Sequence, residues 1–167
     1  NRCAYFRHFA VIGGTSSVIS GNHIFQGDAA DPGPRSAGLV MAHTNSRATI
    51  SGNYIDNCSI EWTNEYDEAP DFASEFSFSQ MSITNNNFLS QSSAPSFNYI
   101  VVKPYGPGHF ITGLIVTGNS FRLIDGNIDR AEGVDTSFAG LDYSRFRNIV
   151  FAGNAYNNVD RPVESPQ

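Results

Sequence analysis

Charge is scarce in this chain. Charged residues fill 16% of its 167 positions, against about 25% in an average domain. Lysine is almost missing: Lys103 stands alone beside nine arginines. Acids outnumber bases, and the net charge of −6 works against broad neutralisation of phosphates, so nucleic acid is not an expected partner. Apolar runs are short. None approaches the length of a membrane span and no signal-peptide pattern is present, so no membrane partner is expected either. Cysteine is limited to Cys3 and Cys58. They take different offsets from the repeat described below, so the expectation is two separate buried or half-buried thiols rather than a disulfide. Two cysteines without companions make no metal site. Any convincing helical period is absent as well, which turns the reading toward strands.

What is present is one short pattern, five times over. It reads Ile19-Ser20-Gly21-Asn22-His23-Ile24, Ile50-Ser51-Gly52-Asn53-Tyr54-Ile55, Ile83-Thr84-Asn85-Asn86-Asn87-Phe88, Val116-Thr117-Gly118-Asn119-Ser120-Phe121 and Phe151-Ala152-Gly153-Asn154-Ala155-Tyr156. The central residues Asn22, Asn53, Asn86, Asn119 and Asn154 are separated by 31, 33, 33 and 35 residues. Self-similarity at such a period marks a repeat architecture, in which one unit cannot bury its apolar face alone.

The chemistry of the unit is that of a strand, a turn and a second strand. The residue three before each asparagine (Ile19, Ile50, Ile83, Val116, Phe151) is apolar. Most residues five before it are apolar too (Ala48, Met81, Leu114, Ile149), as the two-residue strand period requires. Gly-Asn then turns the chain, since both residues tolerate positive φ. The residue two after the asparagine (Ile24, Ile55, Phe88, Phe121, Tyr156) returns to the core. Stacked units would bring the five asparagine side chains over one another, hydrogen-bonded along a ladder that satisfies their buried amides.

Further strands are expected at Phe9 to Ile12, Gly38 to Ala42, Phe76 to Phe78, Asn98 to Lys103 and Phe138 to Tyr143. Loops separate them, and loops on a rigid scaffold are where binding and catalysis concentrate. The chain reads as one domain, 1–167. Residues from Tyr5 already read as strand with no cap ahead of them, which suggests the C-terminal part of a longer chain.

The fivefold pattern of apolar residue, spacer, Ser or Thr, Gly-Asn, spacer and Phe, Ile or Tyr resembles right-handed parallel β-helices of the pectate-lyase-like superfamily. It is especially similar to the polygalacturonase-related β-helix proteins of bacteria and phages, tailspikes among them. The likeness covers about residues 9–158. It implies an all-β fold: a right-handed parallel β-helix, or β-solenoid, of about five rungs with an asparagine ladder. It also implies a polysaccharide partner and a place outside the cell, on a cell surface or on a virion. Members include lyases, hydrolases, epimerases and non-enzymatic adhesins, so the ladder alone does not choose an activity. The paired Asp-Asp, the Asn-Thr-Asp and the Arg-x-Lys segments of polygalacturonases are missing. His109 lies in Pro107-Gly108-His109-Phe110, with Phe110 where that family has glycine.

One acidic stretch stands out. Glu61, Glu65, Asp67, Glu68, Asp71 and Glu75 put six of the sixteen acids within fifteen residues, with no basic residue among them. Trp62, the single tryptophan, and Tyr66 lie inside it. Carboxylates beside aromatic faces suit a sugar site. Glu61, Glu65, Asp67, Trp62 and Tyr66, with Arg35 from the preceding loop, form the expected binding set. Its acidity favours a neutral or amino sugar, or a glycan bridged by a cation. Ca2+ is the cation such a cluster would take, though the spacing matches no known loop; no other cofactor is implied. The competing reading is a solvated acidic loop with Trp62 in the core, because Ile60 and Trp62 share one strand face and Glu61 takes the other. Asp28 and Glu61 are the weak catalytic candidates: in register on adjacent rungs, their Cα atoms would stand roughly 8 Å apart, a range for paired acid and base. Asp125, Asp129, Arg130, Glu132 and Asp135 read as surface charges that pair with one another.

A carbohydrate-associated β-helix engaging a polysaccharide is therefore the leading expectation. The alternatives are a structural spike or adhesin module, for which a homotrimer is the natural assembly, and a polysaccharide lyase or glycoside hydrolase with catalytic rungs partly upstream of Asn1.

Overall fold

A computed structural model of the chain describes residues 1–4, 8–26, 37–41, 47–63, 76–90, 96–103, 109–124, 130–135 and 146–159. Among these are seventeen strands, numbered in chain order, and no helix. The first sheet joins β1 (Arg2–Ala4), β4 (His23–Phe25), β7 (Tyr54–Asp56), β10 (Asn87–Ser90), β13 (Ser120–Leu123) and β17 (Ala155–Asn157) in that order. The second joins β2 (Ala10–Ile12), β5 (Ala37–Met41), β8 (Ser59–Thr63), β11 (Ser96–Lys103) and β14 (Arg130–Asp135). The third joins β3 (Val18–Ser20), β6 (Thr49–Ser51), β9 (Phe76–Thr84) and β12 (His109–Thr117). Beyond β12 it takes both β15 (Phe146–Arg147) and β16 (Val150–Ala152) as partners. Every pairing is parallel. The protein is all-β, and its three parallel sheets are compatible with a parallel β-helix.

The repeat sets this arrangement through its apolar positions. Ile19, Ile50, Ile83 and Val116 are buried, as are Ala48, Met81 and Leu114 two residues earlier. Ile24, Ile55, Phe88 and Phe121 are buried on the far side of the turn. These side chains fall in one cluster, against which the half-buried Phe151 and Tyr156 of the last repeat pack. Removing such side chains from water is the main stabilising term. Phe88 and Phe121 stack at 4.8 Å between ring centroids, and Phe121 and Tyr156 at 5.4 Å. Tyr99 from β11 meets Phe88 edge-on and donates its hydroxyl to the Arg122 carbonyl at 2.7 Å.

The turn divides its labour between its two central residues. The one before the repeat asparagine takes positive φ: Gly21 67°, Gly52 65°, Asn85 56°, Gly118 68° and Gly153 64°. The asparagine itself does not. A second set of left-handed residues, Ser16, Arg47, Gln80, Gly113 and Asn148, has φ of 62°, 54°, 53°, 67° and 55°. Each lies six positions before its repeat asparagine. The same backbone bend thus recurs in every repeat with five different side chains, so no residue pattern announces it.

The five asparagines are linked in series. Nδ2 of Asn22 donates to Oδ1 of Asn53 at 3.2 Å, Asn53 to Asn86 at 3.0 Å, Asn86 to Asn119 at 3.1 Å and Asn119 to Asn154 at 3.0 Å. Each receiving Oδ1 also accepts the backbone N–H of the preceding asparagine. Asn53, Asn86 and Asn119 are fully enclosed, with 0 to 1% exposure, where an unmet amide would be costly.

Strand structure begins at Arg2, ahead of the expected start, and resumes at Ala10. The strand expected at Phe138 to Tyr143 lies outside the described residues. The β5–β8 pairing shifts register at Gly38, where a Cβ would come within 2.6 Å of Cys58 Sγ. Cys58 is buried and Cys3 half-buried, and no disulfide joins them.

Candidate functional site

Of the residues singled out from the sequence, Asp28, Arg35, Glu65, Tyr66 and Asp67 lie outside the described residues, as do Glu68, Asp71 and Glu75. Glu61 and Trp62 are described, on β8. Glu61 is half-buried on the outward side of the second sheet, while Trp62 is enclosed at 0% exposure. Trp62 therefore offers no face for a sugar to stack on, which corrects its place in the expected binding set. Strand alternation is the cause: Ile60 and Trp62 face the core together. The indole Nε1 is buried without a hydrogen-bond partner among the described residues.

The pairing expected between Asp28 and Glu61 falls on Asp28, outside the described residues. The neighbour of Glu61 on the preceding strand is Val40. Val40 is itself 0% exposed yet outside the core cluster, so this outward face is covered at that point.

The first sheet is open by comparison. Two of its rows face outward. One runs Arg2, His23, Tyr54, Asn87, Ser120, Ala155 across the strands, and the other Ala4, Phe25, Asp56, Leu89, Arg122, Asn157. Tyr54 is 58% exposed. His23 lies beside it, ring edge to ring face, at 5.9 Å, and Phe25 is 6.4 Å from the same imidazole. His23 Nε2 and Asp56 Oδ2 are 2.7 Å apart, a diagonal cross-strand contact. One carboxylate, one imidazole and an open phenol ring thus come together from two adjacent strands. Such a group can stack an aromatic face on sugar C–H bonds and accept a hydroxyl proton at the carboxylate. Reasoning from loops missed it. The signal was available in the residues one and three after each repeat asparagine, which must face away from the core if the residue two after faces in.

The outward rows of the third sheet have a different character. One runs Val18, Thr49, Ser82, Ile115, Val150 and the other Ser20, Ser51, Thr84, Thr117, Ala152. No charge occurs in either row, and Val18, Ile115 and Val150 are 72%, 42% and 46% exposed. No three His, Cys, Asp or Glu side chains gather as a metal site among the described residues. Comparison with protein-family models, with curated proteins and with solved structures finds no match to this chain.

Proposed function

We propose that this chain is a right-handed parallel β-helix of the pectate-lyase-like kind, with about five rungs and an asparagine ladder, and that it engages a polysaccharide. Three parallel sheets and the serial asparagine hydrogen bonds support the fold. The functional reading is carried by the open Tyr54 ring beside the His23–Asp56 pair. Aromatic and acidic side chains on adjacent strands of an exposed face are the arrangement that sugar recognition uses, and a passive spacer has no need of it. The setting for such a protein is extracellular, at a cell surface or on a virion. A glycan array probed with the intact chain and with Tyr54→Ala tests the reading. Glycan signals that fall at least fivefold in the variant are expected; an array with no signal for the intact chain would sink it.

A second reading has its own observation. The two uncharged outward rows of the third sheet, with Val18, Ile115 and Val150 exposed, suit a spike or adhesin module that associates with copies of itself, since interface cores are depleted of charge. A trimer that Val18→Glu with Ile115→Glu dissociates in light scattering would favour it; a monomer at high concentration would remove it.

A further inference from the structure

We infer that Asn57 is an N-glycosylation site open only while the chain is unfolded, so that sugar attachment and closure of the corner between β7 and β8 exclude each other. The inference is independent of the polysaccharide reading above. Asn57-Cys58-Ser59 is the one Asn-x-Ser/Thr triplet in the sequence. That triplet is the acceptor pattern for sugar transfer to asparagine, and it normally marks an exposed loop. Here the acceptor is enclosed. Asn57 is 3% exposed, Cys58 0% and Ser59 8%. The backbone of Asn57 is left-handed, with φ of 58°, and its N–H donates to the Leu89 carbonyl at 2.8 Å.

Packing at this corner is close. Cys58 Sγ lies 3.9 Å from the Ile24 carbonyl oxygen, and a Cβ on Gly38 would come within 2.6 Å of the same sulfur. Ser59, whose hydroxyl completes the triplet, is held opposite Ala37 by the pairing of β5 with β8. Transfer breaks the C1–O bond between the sugar and the pyrophosphate of a lipid-linked oligosaccharide, and forms a C1–N bond to Asn57 Nδ2. The pyrophosphate keeps the bonding electron pair, and the amide gives up one proton. The product carries a hydrated sugar where the fold has a closed interior, and hydroxyls forced in there would lose water without gaining partners. To reach a transferring enzyme, residues 57–59 must come away from β10 and β5 together. To fold, they must arrive bare. The outcome is a race between closing the repeat and meeting the enzyme.

The experiment compares the intact chain in two states. Folded chain, purified and incubated with an oligosaccharyltransferase and a lipid-linked oligosaccharide, should gain no mass. The same chain translated into microsomes behind a cleavable leader should gain one glycan. Asn57→Gly, which suits the left-handed backbone, should abolish that gain. Asn86→Leu, whose corner closes less firmly, should raise the modified share at least twofold. Modified molecules should be cut by protease at least tenfold faster than unmodified ones from the same reaction, and blocking synthesis of the lipid-linked donor should return the product to the resistant form. Three results would overturn the inference: a folded chain modified as fast as the nascent one, modified molecules as resistant as bare ones, or a gain that persists in Asn57→Gly. Absence of any gain in both the nascent chain and Asn86→Leu would overturn it as well.

Discussion

Asn53 grips Asn86 twice through one atom: the backbone N–H and the side-chain Nδ2 of Asn53 both donate to Oδ1 of Asn86, each at 3.0 Å. Asn86 in turn sends Nδ2 to the Ile50 carbonyl at 2.9 Å and to Asn119 Oδ1 at 3.1 Å. Replacing Asn86 by Leu removes all of these at once and leaves the backbone N–H of Asn53 buried without its partner, while Asn53 Nδ2 keeps the Ile19 and Ser51 carbonyls. Each buried orphan costs about 1–3 kcal/mol, so Asn86→Leu should destabilise by at least that much in urea unfolding. Asn154 is half-buried, so Asn154→Leu should cost less. Equal, negligible shifts at both positions would show that these amides contribute nothing.

Gly118 and Gly21 occupy the same place in the turn, with φ of 68° and 67°, but not the same surroundings. Nothing lies within 4 Å of a Cβ built on Gly21, whereas one on Gly118 collides with Oδ1 of Asn85. Gly21→Ala should therefore carry only the left-handed backbone penalty, about 1–2 kcal/mol. Gly118→Ala should cost more, and replacing Asn85 by Gly in the same chain should recover the excess. Identical melting temperatures for the two single variants would contradict the close approach.

The irregular pairing at Gly38 offers a cleaner pairwise test. A Cβ there meets Cys58 Sγ at 2.6 Å and Ile24 Cγ2 at 3.2 Å. Gly38→Ala should destabilise, and Cys58→Ala should be milder on its own. Combined, they should cost less than their sum, with a coupling of roughly 0.5–3 kcal/mol in a double-mutant cycle. Strict additivity would mean that the sheet yields rather than the sulfur.

The parts of the fold that depend on local pattern were legible in the sequence; the parts that depend on relations between segments were not. Ile50, Asn53 and Ile55 declare strand, turn and strand by residue type alone, and they are buried as that pattern requires. The bend at Ser16, Arg47, Gln80, Gly113 and Asn148 is as regular in the backbone, yet it leaves no trace in residue type because stacked neighbours impose it. Glu61 and Trp62 were placed on opposite strand faces correctly by parity. The neighbour of Glu61 on β5 is Val40, which counting residues from the asparagine does not name. Tyr54, His23 and Asp56 were overlooked for another reason: they flank the repeat asparagines, where every position had been given a structural role, and their chemistry arises only when two strands lie side by side.

The side-chain links among the asparagines, with Asn1 donating to Asn22 Oδ1 at 3.1 Å as the first, all run in one direction, from lower to higher residue number. Each shared amide oxygen consequently faces the asparagine before it, and Nδ2 of Asn22, Asn53, Asn86 and Asn119 faces the one after it. Aligned amide dipoles add head to tail, as peptide units do along a helix, and each polarises the next. The interior thus acquires an electrical sense, negative toward one end of the stack and positive toward the other, from neutral side chains alone. Turning one amide over would set donor against donor on one side and acceptor against acceptor on the other. The orientation is therefore a collective property: no member can reverse unless all do, and the backbone N–H bound to each oxygen holds the whole series to a single choice.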